Sequence, residues 1–357
     1  MKRYLVITTY PAQGSRNIGD YLITQSLVSL IQRSAPGDVV VEVVWRAAPW
    51  KDVVSLIERS DHVFFACLAI RSDMEKTTYP YARRLLESGV PYSILAAGTD
   101  LPVKGNSDFC GAIDSGSLDL LRVMSEGARI FTTRGILTQN FCLGVGIKSA
   151  VYHGDISFFA PESDDREFTF PEEVRSIVLS DPHRPEKYLS SFSALVAGIR
   201  CVFPDASLSV ALHGVNDLIQ KYCVEEKLDC EEIFKSPARG LEFYNKFDLH
   251  VGYRVHGHVN ALNRRMPSYL LEQDGRGADY GLSLSRKLSV PNYLQYFPTS
   301  AGGIAPLEAS ISAPQQVISM MYQDSVDGYS RFSGLGAELA EISRRAERTV
   351  RAIVDPS

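Results

Sequence analysis

The residues best suited to chemistry fall together in Tyr253-Arg254-Val255-His256-Gly257-His258-Val259-Asn260-Ala261, where a guanidinium and two imidazoles are nearly adjacent. The apolar run from Asp248 to Gly252 reads as a buried strand, and Val255, Val259 and Leu262 then recur at helical spacing. Arg254 and His256 therefore sit where a strand gives way to a helix. In a parallel α/β sheet that edge is where ligands bind, and the N–H groups at a helix start favour negative charge. The expected chemistry is anion recognition, with an imidazole that can move a proton near neutral pH. Taken one at a time, His256 and His258 also read as surface histidines on a first helical turn, and Arg254 as a solvated charge.

A second group is Asn17-Ile18-Gly19-Asp20, after the strand-like Tyr4 to Thr9 and the polar loop Pro11 to Gly19. Glycine lets backbone come close to a ligand, and Asp20 in a first helical turn suits the helix dipole. Simple capping by Asn17 or Asp20 explains the same residues equally well. A third group places Arg134 at a strand end in Thr132-Thr133-Arg134-Gly135, followed by Gly144-Val145-Gly146-Ile147 and Gly154-Asp155. Arg134 can serve a ligand or pair with a neighbouring carboxylate, and Asp155 can be a turn residue. Lastly, Gly275-Arg276-Gly277 reads as a flexible loop that carries a cation and closes over a ligand.

These residues need a scaffold, and the chain alternates strand-like and helix-like segments from its start. Strands are expected at Tyr4 to Thr9, Val39 to Val44, His62 to Cys67, Tyr92 to Ala97, Arg129 to Thr132 and Ala150 to His153. A polar, proline-flanked break from Pro161 to Glu173 reads as a linker. A second set follows at Ile177 to Leu179, Leu208 to Leu212, Leu249 to Gly252 and Tyr269 to Leu271. The fold class expected is α/β: a Rossmann-like domain over residues 1–161, a linker over 162–173, a second such domain over 174–312, and a helical segment over 313–357. The site lies in the cleft between facing strand ends. In the last helix Leu335, Leu339, Ile342, Ala346, Val350 and Ile353 form an apolar stripe opposite Arg344, Arg345, Arg348 and Arg351. Those arginines read as solvated, with peripheral contact at an anionic membrane surface as the alternative.

Composition narrows the partners. A net charge of −5 without a basic tract argues against nucleic acid. Six cysteines, at 67, 110, 142, 201, 223 and 230, show no metal spacing and read as reduced core residues of a cytoplasmic protein. The amino-terminal apolar run is too short for a signal peptide, and no transmembrane run is seen.

Arg-x-His-x-x-x-x-Ala at 254–261, Met266-Pro267 before the next strand, a cation twenty residues after His256, Asn-x-Gly-Asp at 17–20 and Arg134 after its strand resemble, in order, the motifs of the polysaccharide pyruvyl transferase family. The resemblance spans roughly residues 4–290. It implies a GT-B-like pair of domains, phosphoenolpyruvate as donor and a saccharide or lipid-linked saccharide as acceptor, in cell-surface polysaccharide biosynthesis. Arg134, Arg254 and Arg276, with Asn17 and Gly19, are then the substrate-binding residues; His256 is the acid or phosphate partner, and Asp20 or Asp155 the base. No cofactor and no metal are called for. The chain departs from the family at Phe65 to Arg71, where a glycine triplet is usual, and at Arg276, where lysine is common. Side chains are therefore expected to project where backbone would meet the acceptor. Two other readings share the residues: a nucleotide-sugar-dependent glycosyltransferase of the same layout, and an inert binding protein on an inherited fold.

Overall fold

A computed structural model describes residues 1–10, 17–103, 113–160, 166–299 and 303–355. Residues 11–16 of the first loop, Cys110, and residues 161–165 of the expected linker lie outside the described residues.

The first unit is a parallel sheet of β1 (Lys2–Thr8), β2 (Val39–Trp45), β3 (His62–Ala66), β4 (Tyr92–Ala97), β5 (Phe131–Thr133) and β6 (Ala150–Tyr152), in the order β2-β1-β3-β4-β5-β6. Helices α1 (Ile18–Ser34), α2 (Trp50–Glu58), α3 (Ala82–Glu87), α4 (Ser115–Gly127) and α5 (Ile136–Gly144) connect the strands. Parallel sheets carry helices on both faces, so their central strands must be apolar on both. β1 shows why. Tyr4 and Val6 join Ile23 and Leu27 of α1 in one core, whereas Leu5 and Ile7 join Val53 and Ile57 of α2 in the other.

The second unit is built from β7 (Ser176–Ser180), β8 (Ser207–Ala211), β9 (Asp229–Glu231), β10 (Leu249–Gly252), β11 (Ser268–Glu272) and β12 (Ser289–Pro291), ordered β12-β11-β10-β7-β8-β9. Its helices are α6 (Pro185–Val202), α7 (Asp217–Glu225), α8 (Pro237–Glu242), α9 (Val255–Asn263) and α10 (Gly275–Ser283). An antiparallel hairpin of β13 (Tyr296–Pro298) and β14 (Ile304–Pro306) follows, then α11 (Ser312–Val326) and α12 (Leu335–Val354). The architecture is the expected two-unit α/β fold of GT-B type.

Hydrophobic patterning did not reveal β9, β12 or the hairpin. The edge strand β9 reads Asp-Cys-Glu, and the other edge, β12, ends on a proline, so neither carries an apolar run. Gly275 and Gly277 are not a flexible loop. They open α10, capped by the Asp274 side chain on Arg276 N, and a Cβ at Gly277 would lie 2.8 Å from Glu272 Cα. Here glycine provides close helix–strand packing rather than freedom.

Of the expected linker, residues 166–173 carry neither helix nor strand, and Phe168 and Phe170 stack on each other, with Phe170 stacked on Tyr329. The last helix spans both units. Leu335, Leu339 and Ile342 enter the second core, and Val350, Ile353 and Val354 the first. On its outer side Arg344 and Arg348 pair with Glu341, and Arg351 with Glu347. That local pairing offsets the charge on which a membrane-binding reading relied. Among the described residues no helix is long and apolar enough to cross a membrane.

Candidate active site

In the first sheet the chain leaves β1 for β2 on one side and β3 for β4 on the other, so the connections that follow these paired strands run in opposite directions. In the second sheet the corresponding pair is β7 and β10. Such switch points open a crevice. The two crevices face each other, and the cleft between them divides into three lobes that share Arg276.

The inner lobe is a cavity of about 100 Å³. Asn17, Asp20 and Arg134 of the first unit line it with His256 and Arg276 of the second, together with Arg46, Arg71 and Asp100. Arg134 is 7% exposed; its Nη2 donates to Thr99 O at 3.0 Å, and its Nε stands 3.7 Å from Asp279 Oδ2. This arginine therefore pairs with a carboxylate and also lines the cleft. Gly98 makes room for it, since a Cβ there would fall 2.2 Å from Nε. Arg71 reaches Asp100 at 2.8 Å. The Asp20 carboxylate makes no hydrogen bond or ion pair among the described residues, while Asn17 caps α1 by accepting from Gly19 N.

His256 is buried, not a surface residue, and it is held from two sides. Its Nε2 stands 3.6 Å from Asp155 Oδ2. Its Nδ1 lies against Gly19, where a Cβ would come within 2.6 Å. Gly19 thus lets the first helix approach the histidine itself, across the domain boundary. Asp155 cannot be a base toward an acceptor. It is wholly buried, and its oxygens accept from Ser157 N at 2.7 Å, Ser157 Oγ at 2.5 Å and Tyr280 Oη at 2.6 Å. Burial opposes its charge, but the nearby His256 imidazole, the Arg134 guanidinium and the hydrogen bond from Ser157 outweigh this and hold the carboxyl well below the usual range. It is a fixed negative charge beneath the imidazole. Gly19→Ala is expected to cost about 1–3 kcal/mol of stability through overpacking. By displacing His256 it should also lower turnover roughly 100-fold. Thermal melts and initial rates check this; normal rates would show that the contact does not position the ring.

His258 leaves the site altogether. It is 1% exposed, and its Nδ1 meets Ser268 Oγ at 2.7 Å, which also meets His250 Nδ1 at 2.7 Å. Arg254 occupies the start of α9 without capping it. Its guanidinium grips Asp181 with two bonds, at 3.0 and 2.5 Å, and lines a second lobe beside His256, Arg276, His183 and His213. Arg276 is likewise paired, to Asp274 at 2.5 Å.

At Phe65 to Arg71, Ala66 and Leu68 are buried, and only Cys67, Ala69 and Arg71 of this stretch line the inner lobe. Cys67 adopts φ +52°, so the left-handed backbone that suits glycine persists without it. Its Sγ turns inward, 4.0 Å from both Asp155 oxygens. The expected projection of side chains is therefore limited mainly to one thiol and one guanidinium.

Arg46, Arg71, Asp100, His183 and His213 were not singled out by motif. Each follows a strand of one sheet by one to five residues, on the carboxyl side, and that position was the available signal. Among the described residues no group of three or more His, Cys, Asp or Glu side chains is placed to hold a metal ion.

The sequence model of the polysaccharide pyruvyl transferase family matches residues 17–274. The chain belongs to this family. In this pyruvyl transferase family member the match runs from Asn17 to Asp274, so Asp20, Arg134, Asp155, Arg254 and His256 fall within it and Arg276 lies just beyond. Comparison with curated proteins finds no sequence match. Solved structures with a similar fold include S. aureus MnaA in a co-structure with UDP, at 12% identity and TM-score 0.57 over 99% of this chain and 96% of that one. Another is UDP-GlcNAc 2-epimerase from Neisseria meningitidis bound to UDP-GlcNAc, at 11% identity and TM-score 0.57 over 99% of this chain and 100% of that one. At such identities the likeness speaks for the fold alone.

Proposed function

We propose that this polysaccharide pyruvyl transferase family member moves the pyruvyl group of phosphoenolpyruvate onto two hydroxyls of a saccharide as a cyclic ketal, in the synthesis of a cell-surface polysaccharide. One observation carries the reading. Thr9 Oγ1, Arg71 Nε, Arg134 Nε and His256 Nε2 are buried polar atoms without hydrogen bonds among the described residues, and all four residues line the inner lobe. Buried donors left unpaired cost free energy, so their concentration in one lobe marks a place where ligand oxygens complete them. A small donor bearing a carboxylate and a phosphate supplies such oxygens on two sides.

In the reaction, a proton is added to the donor's methylene carbon and the adjacent carbon becomes electrophilic. One acceptor hydroxyl attacks it; a second displaces phosphate, and two hydroxyl protons are released. On this reading His256, backed by Asp155, passes a proton to the donor or its leaving phosphate. Asp20 takes one from the acceptor. Arg134 and Arg276 hold the donor's negative charge from opposite domains.

Titration calorimetry of the full chain with phosphoenolpyruvate, in the presence of chelator, should give a saturable heat. Phosphate release should follow when a panel of hexosides is added. Heat from a nucleotide sugar in place of phosphoenolpyruvate would instead establish the glycosyltransferase reading.

A further inference from the structure

The second lobe holds a residue that no motif marks. His213 follows β8, is 1% exposed, and lines this lobe beside Arg254, His256 and Arg276. Its ring is fixed by a single bond: Nε2 meets the Tyr244 hydroxyl at 2.6 Å, while Nδ1 is buried without a partner. Its backbone is tied across the domain boundary, because Ile18 N donates to His213 O at 3.1 Å at the very start of α1. Glycine at 257 leaves space for the pair, as a Cβ there would lie 2.8 Å from Tyr244 Oη and 3.1 Å from His213 Nε2.

The direction of the Tyr244 bond decides what the free nitrogen is. Tyr244 is fully buried, and its hydroxyl has no other hydrogen bond among the described residues. If the imidazole donated, the phenol proton would be stranded in the interior together with a bare Nδ1. If the phenol donates to Nε2, its proton is satisfied and the neutral ring carries its own proton on Nδ1. Burial, with Arg254 and His256 adding to it, pushes this imidazole well below its ordinary range, so the neutral form prevails. The site thus gains a donor for an anion without adding another charge that must be desolvated.

We propose that His213 is a donor-binding residue that gives a hydrogen bond from Nδ1 to the phosphate of the pyruvyl donor, with Tyr244 as the positioning residue that fixes its tautomer. This rests on the phosphoenolpyruvate reading above.

The test uses the full chain with His213→Phe, which keeps a ring, and Tyr244→Phe, which removes only the hydroxyl. Calorimetry with phosphoenolpyruvate should show affinity falling roughly 10- to 100-fold in His213→Phe, the range for a hydrogen bond to a charged group, and roughly 2- to 10-fold in Tyr244→Phe. Nitrogen-15 spectra of histidine-labelled protein should show His213 protonated on Nδ1, with this signal moving on addition of phosphoenolpyruvate and the tautomer balance changing in Tyr244→Phe. A merely structural role would lower the melting temperature of both variants and leave donor affinity and tautomer unchanged; that result overturns the proposal. So does a wild-type spectrum with the proton on Nε2. If wild-type protein itself gives no heat with phosphoenolpyruvate, the donor reading falls and takes this assignment with it. Wild-type binding matched by His213→Phe would remove His213 alone.

Discussion

His256→Ala is expected to lower turnover by roughly 10²- to 10⁴-fold, the range for loss of a positioned acid–base group. The fold should survive, because the imidazole lies in the cleft between units rather than inside either sheet's core. The control is His258→Ala, two residues along the same helix. His258 is buried behind α9 against Ser268, so its loss should leave a cavity, lower the melting temperature and spare the rate of the folded fraction. Asp155→Asn should fall between them. It keeps an acceptor for Ser157, reverses the Tyr280 bond because an amide nitrogen only donates, and removes the fixed charge beside Nε2, so the pH profile of turnover should move with it. Phosphate release measured with saturating donor and acceptor, beside thermal melts, separates these outcomes. Equal, small losses of rate in His256→Ala and His258→Ala would end the claim that the motif histidine does chemistry.

Acid should unfold this protein more steeply than its carboxylates alone explain. His62, His213, His250 and His258 are each less than 5% exposed and must remain uncharged in the folded chain. Burial lowers His62 to about 4 and His258 to about 3, and pushes His213 and His250 well below their ordinary values. The sign follows from linkage. Their folded pKa values lie below the unfolded value near 6.5, so the stability they contribute is complete above pH 6.5 and declines as pH falls toward the folded values. Each contributes about 1.4 kcal/mol per pH unit, and the four together roughly 5 kcal/mol per unit. Against a typical total of about 5–15 kcal/mol, two units of acidification are enough to approach unfolding. Asp279 and Asp324 oppose this in part, since burial pushes their carboxyls up and favours proton uptake by the folded state. Urea midpoints measured from pH 7.5 to 4.5 should fall sharply below pH 6.5, and His258→Gln should flatten the slope by less than a quarter, because burial also lowers His153 and His183. A midpoint unchanged between pH 7 and 5 would rule the mechanism out.

The sequence disclosed what repeats and what is apolar. β1 was visible because a strand covered on both faces is nearly all hydrophobic, β10 because Leu249 and Val251 flank a single histidine, Arg134 and His256 because they follow such strands, and Asn17 because it opens a helix. Roles that depend on burial were not visible. Asp155 reads as a turn carboxylate until Tyr280, 125 residues away, closes over it. Gly19 reads as room for a ligand, yet the object it admits is His256, from the other domain. Gly277 reads as flexibility and proves to be contact with Glu272. In each case local residue type allowed two functions, and a neighbour distant in sequence chose between them. His213 shows the limit most clearly, since only the Tyr244 hydroxyl makes its second nitrogen interesting.

The helix α12 has a consequence for how the molecule is made. Val350, Ile353 and Val354 share a core with Tyr4, Val6 and Leu27, residues translated near the beginning of the chain. The unit synthesised first is therefore not the unit completed first. Until translation has passed residue 354, the nascent amino-terminal sheet keeps an apolar seam along α1 open to solvent, while the later unit can already bury most of its own interior. Order of synthesis and order of completion run in opposite directions, and the seam is apolar surface that stays exposed while the chain is being made.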